Sequence, residues 1–221
     1  DDISHSVVGV INVPLVDDQL ALRVAAYRYD NAGYIDTIST PELEAIATTA
    51  GLPVVVKNDI NGSTYTGARA SLLWHPSDKL EFNLIAGTQR VDVDGTSVTV
   101  ADLEDYQTLS LNSGKSDHFN DTDYVNLVIS YDFDWATLTS STSNIDNKAL
   151  VSKSLFAASP TLFLGPSQFT ATNAITDIFS QELRLASDLG GPIQFLAGLF
   201  YEDVQRKNHA NISWNGTNTS E

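Results

Sequence analysis

The side chains in this chain that could carry chemistry are mainly its histidines and its aspartate-rich turns. The four histidines, His5, His75, His118 and His209, stand far apart in the sequence. A zinc site needs two or more ligands of this kind at close spacing. We therefore interpret them as scattered surface residues, and no metal site is predicted from them.

Two stretches, 59–62 and 92–95, have the Asp/Asn-Gly composition of calcium loops. An EF-hand loop needs an oxygen ligand at its first position and Glu at its twelfth. Here Lys57 and Arg90 occupy the first positions, and alanines occupy the twelfth. Ordinary Asn-Gly and Asp-Gly turns explain both stretches better.

The chain also has none of the local motifs that mark common catalytic sites. It contains no nucleophile elbow, no P-loop and no dinucleotide-binding fingerprint. The sequence therefore predicts no enzyme, no metal and no cofactor.

Composition narrows the class of protein further. The 221 residues include no Cys, which excludes disulfide scaffolds and thiolate sites. The net charge of −16 excludes a nucleic-acid-binding protein. No apolar run approaches the roughly 18 residues of a transmembrane helix. With no Met and no signal peptide at its start, the chain is expected to be an internal piece of a longer protein.

Acidic residues are concentrated in the segment 92–123, where they face a single basic residue, Lys115. They are Asp92, Asp94, Asp102, Glu104, Asp105, Asp117, Asp121 and Asp123. A solvated acidic loop explains them more simply than a selective field at a pore mouth does. Either way, they weakly disfavour a strongly anionic ligand.

The elements that must position any site are paired strands. Four short turns, at 16–19, 75–79, 132–134 and 187–192, recur at regular intervals, and a strand-like run flanks each turn on both sides. We predict eight strands: 6–16, 20–29, 65–74, 80–90, 124–131, 135–143, 179–186 and 193–201. Long polar connectors, at 30–64, 91–123, 144–178 and from 202 onward, separate the hairpins, with the polar stretch 211–220 at the end. One of them contains a predicted short helix over 40–47, with Thr40 as N-cap and Pro41 at the first position.

The strands alternate apolar and polar residues with a period of two. In 20–25, for example, Leu20, Leu22 and Val24 share one face while Arg23 takes the other. The charged residues of this second face are Arg23, Arg69, Glu81, Glu182 and Arg184. In a membrane barrel they would face the lumen and polarise its wall. In a soluble sandwich they would lie on an outer face, and in either fold they could simply pair across neighbouring strands.

Aromatic residues cluster beside the short turns. They are Trp74, Tyr131, Phe133 and Trp135. Rings with a polar edge favour the membrane–water interface, so these four are candidates for an interfacial aromatic girdle. Ordinary core packing near a turn is the alternative.

Several stretches together resemble the barrel of TonB-dependent outer-membrane receptors, in family order. The hairpin segments 9–23 with 30–36, 67–80, 132–143, and 181–187 with 196–202 carry this resemblance across nearly the whole chain. The resemblance implies an all-β fold, an antiparallel transmembrane β-barrel with short periplasmic turns and long extracellular loops. The whole family barrel has 22 strands. On this interpretation residues 1–221 supply about eight of them, and the plug domain and the C-terminal strands are absent.

The resemblance also implies a function: TonB-driven import of a scarce nutrient, commonly a ferric siderophore or another iron complex, across the outer membrane of a Gram-negative bacterium. Its expected partners are outer-membrane lipid, the small ligand and the TonB complex, which would act through the missing N-terminal part. No ligand-binding residue carries over. A passive porin-like channel and a secreted all-β adhesin or carbohydrate-binding protein stay open as alternatives.

Overall fold

The computed structural model describes residues 3–50, 54, 56–95, 106–109, 118–154 and 168–214. Eight long strands form one sheet. They are β1 His5–Val16, β2 Leu20–Asn31, β4 Ser63–Ser77, β5 Leu80–Val93, β7 His118–Asp132, β8 Ala136–Ser154, β9 Gln168–Ser187 and β10 Leu196–Trp214. The short strands β3 Asp36–Ile38 and β6 Gln107–Leu109 pair in parallel apart from it, and α1 spans Pro41–Ala50. Within these residues, no helix is long and apolar enough to cross a membrane.

The large sheet is a meander in the order β1-β2-β4-β5-β7-β8-β9-β10, and all its neighbouring strands are antiparallel. Each long strand therefore pairs only with the long strands next to it in the sequence. The short turns close the hairpins at one end of the sheet, and the long connectors lie at the other. The predicted alternation of tight turns and long connectors is confirmed.

The extents of four predicted connectors are wrong, because the strands are longer than the sequence pattern indicates. β8 continues to Ser154, β9 begins at Gln168, and β10 runs to Trp214, so most of the connectors predicted at 144–178 and from 202 onward is strand. The part of the stretch 211–220 up to Trp214 is strand as well. The prediction followed apolar alternation, which exists only in the half of each strand near the short turns. The hydrogen bonds between paired strands do not depend on this alternation, so the strands continue beyond it. The predicted helix is confirmed and ends later, at Ala50.

The sheet has two chemically different faces, fixed by its register. Side chains of directly paired residues point to the same face. One such row is Val13, Leu22, Leu72, Leu84 and Leu127, which runs across five strands. We call the face that carries this row the apolar face. The opposite face, which carries Arg23 and its paired neighbour Ser71, is the polar face.

Almost nothing covers either face. Among the described residues, only Ile35 and Ala136 are buried hydrophobic residues, and Thr37 is a buried polar one. Large apolar side chains are exposed on the apolar face, such as those of Ile11 at 65% and Leu199 at 75%. Exposed apolar patches of this size are typical of surfaces that contact lipid or another protein.

The pattern of exposure along β5 shows which way the sheet curves at that strand. Along β5, the apolar-face residues Leu84, Ala86 and Thr88 are exposed, whereas the intervening polar-face residues are half-buried. Side chains spread apart on a convex surface and crowd together on a concave one. The apolar face is therefore convex along β5, and the polar face is concave.

Candidate functional site

The polar face brings the five charged candidate residues to one side of the sheet. The register places Arg23, Arg69, Glu81, Glu182 and Arg184 all on this face. Arg23 donates a 3.0 Å hydrogen bond to the Asn12 side chain on the neighbouring strand. Glu81 lies 3.6 Å from the His75 ring nitrogen. In the part of the chain that the structure describes, no ion pair joins any two of the five.

Neutral polar side chains fill much of the surface between these charges. Asn126 donates to the Ser141 hydroxyl at 3.1 Å, and the Ser143 and Ser180 hydroxyls lie 2.7 Å apart. Together with the charged residues, they make this face a wettable wall. Such a wall can hydrate and orient a polar solute.

Two tyrosines on the polar face lie over glycines of the neighbouring strands. A side chain at Gly67 would place its Cβ 2.5 Å from the Tyr27 ring, and one at Gly87 would place its Cβ 2.6 Å from the Tyr124 ring. Tyr27 reaches further and donates a 2.7 Å hydrogen bond to Gln89. Sequence reasoning missed both pairs. The glycines themselves were a usable signal, since a glycine inside a strand often marks a place where another group approaches the backbone closely.

The connector end of the sheet holds a small structured unit, which we call the loop cluster and define as residues 33–38, 56–62, 94–95 and 106–109. Its centre is Ile35, which is 1% exposed. The Asn61 side-chain oxygen accepts the backbone N–H groups of Tyr34 and Ile35 at 2.7 and 2.8 Å. The Thr37 hydroxyl donates to the Lys57 carbonyl at 3.0 Å and accepts the Lys57 N–H at 2.7 Å.

The loop cluster presents two exposed aromatic side chains to solvent. Tyr34 and Tyr106 are 58% and 61% exposed and meet edge to face, with 5.5 Å between ring centroids. The backbone beneath them is closely packed at Gly33, where a Cβ would collide with the Asp59 carbonyl. The cluster therefore presents aromatic surface at the connector end of the sheet.

The aspartate-rich turns that resemble calcium loops serve other purposes. The Asn61 oxygen is occupied by backbone groups, and Asp92 forms a 2.8 Å ion pair with Arg90. Across the described ranges, no group of three or more His, Asp or Glu side chains could hold a metal ion. Of the acidic segment 92–123, residues 96–105 and 110–117 lie outside the described residues.

The helix in the first long connector begins as predicted at Pro41. The Glu44 N–H donates to the Thr40 carbonyl at 3.0 Å. Hydrogen bonds from its own backbone N–H and from Thr40 lower the pKa of the Glu42 carboxyl below its usual value. This is the electrostatic pattern expected at a helix N-terminus.

The four aromatic candidates lie where the short turns meet the sheet. Trp74 stacks on Phe82 with 5.1 Å between ring centroids. Tyr131 and Phe133 are 4.6 Å apart, and Trp135 continues the series at 6.3 Å from Phe133. All four candidates are between 38% and 50% exposed, so none of them is packed into a core.

No protein-family model and no curated protein matches the chain. Among solved structures, it is similar to the ferric yersiniabactin uptake receptor FyuA from Yersinia pestis, with a TM-score of 0.77 and 16% identity. The match covers 97% of this chain and 31% of that receptor. The fold is a partial antiparallel β-barrel. With about eight long strands in meander order, the chain spans just under a third of the length of FyuA.

Proposed function

We propose that this chain is part of an outer-membrane receptor that imports a scarce nutrient by TonB-dependent active transport, with a ferric siderophore or another iron complex as the ligand. The observation that carries the proposal is the eight-stranded meander. It matches the fold of an uptake receptor over 97% of this chain. In this proposal the plug domain and the TonB-binding segment belong to other parts of the full-length protein.

The exposed apolar face supports a position in a membrane. A soluble sandwich would cover this face with a second sheet, and among the described residues the small β3–β6 pair is the second sheet and does not pack on it. Lipid covers such a face without any further protein. The apolar face would then contact the hydrocarbon, and the girdle candidates Trp74, Tyr131, Phe133 and Trp135 would lie at the periplasmic boundary.

The concave polar face supports the transport step. Arg23, Arg69, Glu81, Glu182 and Arg184 would line the lumen and keep it hydrated. The loop cluster would stand above them on the outside of the cell and contact the ligand first. Transport through this space requires no covalent step from the wall residues, in keeping with a carrier rather than an enzyme.

The test is iron uptake by the full-length protein in a Gram-negative strain that lacks its own copy. Radiolabelled iron would be supplied on siderophores purified from an iron-starved culture of the source bacterium. We expect uptake that a protonophore abolishes and that deletion of the host TonB abolishes equally. Uptake that survives both treatments would indicate a passive channel, and recovery of the protein in the soluble fraction would indicate a secreted all-β protein.

The coding sequence that flanks this segment offers an independent check. A plug-like domain encoded upstream is expected for active import. A signal peptide followed directly by these strands would contradict active import and leave a passive channel or an adhesin.

A further inference from the structure

Arginines on the two faces of the sheet have different surroundings. On the apolar face, Arg28 and Arg90 each form a 2.8 Å ion pair with an aspartate. On the polar face, Arg23 and Arg69 are both exposed, and Arg23 donates to the Asn12 side chain. Among the described residues, no carboxylate lies within ion-pair distance of either. Because a guanidinium does not lose its proton in a protein, these are two positive charges that no described carboxylate neutralises.

The strand register places Arg23 and Arg69, which we call the arginine pair, next to each other. Arg23 is paired directly with Ser71 on β4, and Arg69 lies two positions further along that strand on the same face. Residues in such a diagonal arrangement are about 7–8 Å apart, so both guanidinium groups can reach one group bound between them. Like charges at this spacing repel each other, and an anion between them removes that repulsion. The arginine pair therefore favours an anionic group.

The polar face around the arginine pair is free of acidic residues. Between Glu81, which lies beside a short turn, and the long connectors, no Asp or Glu lies on this face of β1, β2, β4, β5, β7 or β8 in the ranges that the structure describes. The aspartates Asp92, Asp121 and Asp123 take the apolar face instead. These three members of the acidic segment 92–123 therefore cannot contact a solute held at the polar face.

Tyrosines occupy the polar face between the connector end and the arginine pair. Tyr29 and Tyr65 are paired directly on neighbouring strands. Tyr27 lies one row closer to the arginines, with 5.3 Å between its ring centroid and that of Tyr29. The ring of Tyr124 covers the glycine that is paired directly with Arg69. Rings of this kind bind flat or apolar parts of a solute, so the wall combines aromatic surface with positive charge at its inner end.

We propose that the arginine pair binds a carboxylate of the imported iron chelate, so that the ligand is an anionic chelate with a free carboxylate group. Guanidinium groups match a carboxylate because their planar N–H donors can bind both of its oxygens. This inference rests on the proposed function, which makes the polar face the wall of a transport lumen. It adds to that function the charge of the ligand and the group by which the wall recognises it.

The first test compares ligands by their charge. Radiolabelled ferric siderophores from the source bacterium are separated by electrophoresis at neutral pH into anionic, neutral and cationic fractions. Each fraction is then offered to cells that carry the full-length protein. We expect uptake of the anionic fraction alone, and uptake of the neutral or the cationic fraction would overturn the proposal.

Substitutions locate the contact. Binding of the anionic fraction is measured on cells that lack TonB, in which bound ligand is not transported. Arg69→Gln should weaken binding roughly tenfold, the effect of losing a hydrogen bond between charged groups, and Arg23→Gln should act in the same direction. Arg28→Gln, on the apolar face of the same strand as Arg23, is the matched control and should leave binding unchanged. Equal binding by the wild type and both polar-face variants would overturn the site.

Chemical modification of the ligand identifies the group that the arginines hold. Carbodiimide and ammonia convert the free carboxylates of the ferric complex to amides, which cannot form an ion pair. The amide should bind the wild type roughly tenfold more weakly than the acid does, and Arg69→Gln should weaken its binding no further. If Arg69→Gln weakens binding of the acid and the amide equally, or lowers only the unfolding midpoint, the arginine pair contacts another part of the full-length protein and the proposal is wrong.

The outcomes also separate this inference from the function on which it rests. A protein that takes up no iron from any fraction contradicts the proposed function, and the inference fails with it. TonB-dependent uptake that depends neither on the charge of the ligand nor on Arg69 contradicts the inference alone.

Discussion

The two ends of the sheet are held together in different ways. At the short-turn end, backbone groups join one turn to the next: the N–H groups of His75, Asp132 and Asp188 donate to carbonyls of the preceding turns at 2.8, 2.8 and 2.6 Å. At the connector end, backbone bonds also join segments that lie far apart in the sequence, such as the one from the Thr37 N–H to the Lys57 carbonyl at 2.9 Å, but the side chains of Asn61 and Thr37 add links of their own.

This difference separates a constant end from an adaptable one. Backbone links depend little on side-chain identity, so the short-turn end tolerates sequence change while keeping its geometry. Links through particular side chains can be replaced one at a time. The connector end is therefore the part in which side chains can change without disturbing the large sheet.

The largest expected effect comes from placing a charge on each half of one strand. Leu72→Lys and Thr66→Lys both lie on the apolar face of β4, in the turn half and the connector half respectively. A cation costs roughly 2–4 kcal/mol at the bilayer midplane and roughly 0–1 near the interface. We expect Leu72→Lys to reduce the amount of folded full-length protein in the outer membrane sharply, and Thr66→Lys to leave it nearly unchanged.

Heat-modifiable migration of outer-membrane fractions measures this difference. Ser71→Lys, next to Leu72 but on the polar face, serves as a second control and should insert normally. Equal loss with Ser71→Lys and Leu72→Lys would show that the two faces do not differ in their surroundings.

The next effect should be confined to the connector end. Asn61→Ala leaves the N–H groups of Tyr34 and Ile35 without their acceptor, at a cost of roughly 2 kcal/mol within the loop cluster. Hydrogen exchange of the full-length protein should accelerate over 33–38 and stay slow in β4 and β5. Asn58→Ala, at an exposed neighbouring position, provides the control. If it accelerates exchange over 33–38 as much as Asn61→Ala does, the assigned role of Asn61 is wrong.

A smaller effect is expected where a tyrosine covers a glycine on the polar face. Gly67→Ala forces a methyl group against the Tyr27 ring, at a cost of roughly 1–2 kcal/mol. Gly9→Ala, where a Cβ meets nothing within 4 Å, should be neutral or slightly stabilising. Urea unfolding of the full-length protein in lipid vesicles compares the two variants, and equal midpoints would show that Tyr27 moves aside freely.

The smallest effect should come from the ion pair that joins the second and third turns. Lys79 contacts both oxygens of Asp134, at 2.5 and 2.6 Å, and this contact raises the pKa of the Lys79 ammonium above its usual value. The stabilisation is complete below the usual lysine pKa and is lost as the pH rises through the raised value.

Lys79→Met should therefore lower the unfolding midpoint slightly at neutral pH. The difference should shrink at about 1 M salt, because exposed pairs are screened there. A deficit that persists in high salt would mean that the lysine stem, rather than its charge, stabilises the turns.

Sequence reasoning succeeded where the structure depends on local chemistry. The short turns, the alternation that puts Arg23 and Leu22 on opposite faces, and the helix start at Pro41 all follow from neighbouring residues. It failed in the outer halves of β8, β9 and β10, where polar residues occupy both faces and leave no periodic signal.

Contacts between segments distant in the sequence could not be predicted either. β3 and β6 pair across about 70 residues, and nothing in either three-residue stretch indicates the other. The loop cluster rests on Asn61, whose side chain acts on residues 26 and 27 positions earlier. The face shared by the five charged candidates follows from the alternation, but their role in a lumen stays a proposal.

The strict meander has a consequence for how the protein is made. Because every long strand pairs only with its neighbours in the chain, each hairpin can dock on the edge left by the one before it, without waiting for distant residues. Each docked turn then offers a free carbonyl to the next. Synthesis order and assembly order can therefore coincide, and the newest strand of such a growing sheet always offers an open edge at which a chaperone can hold it.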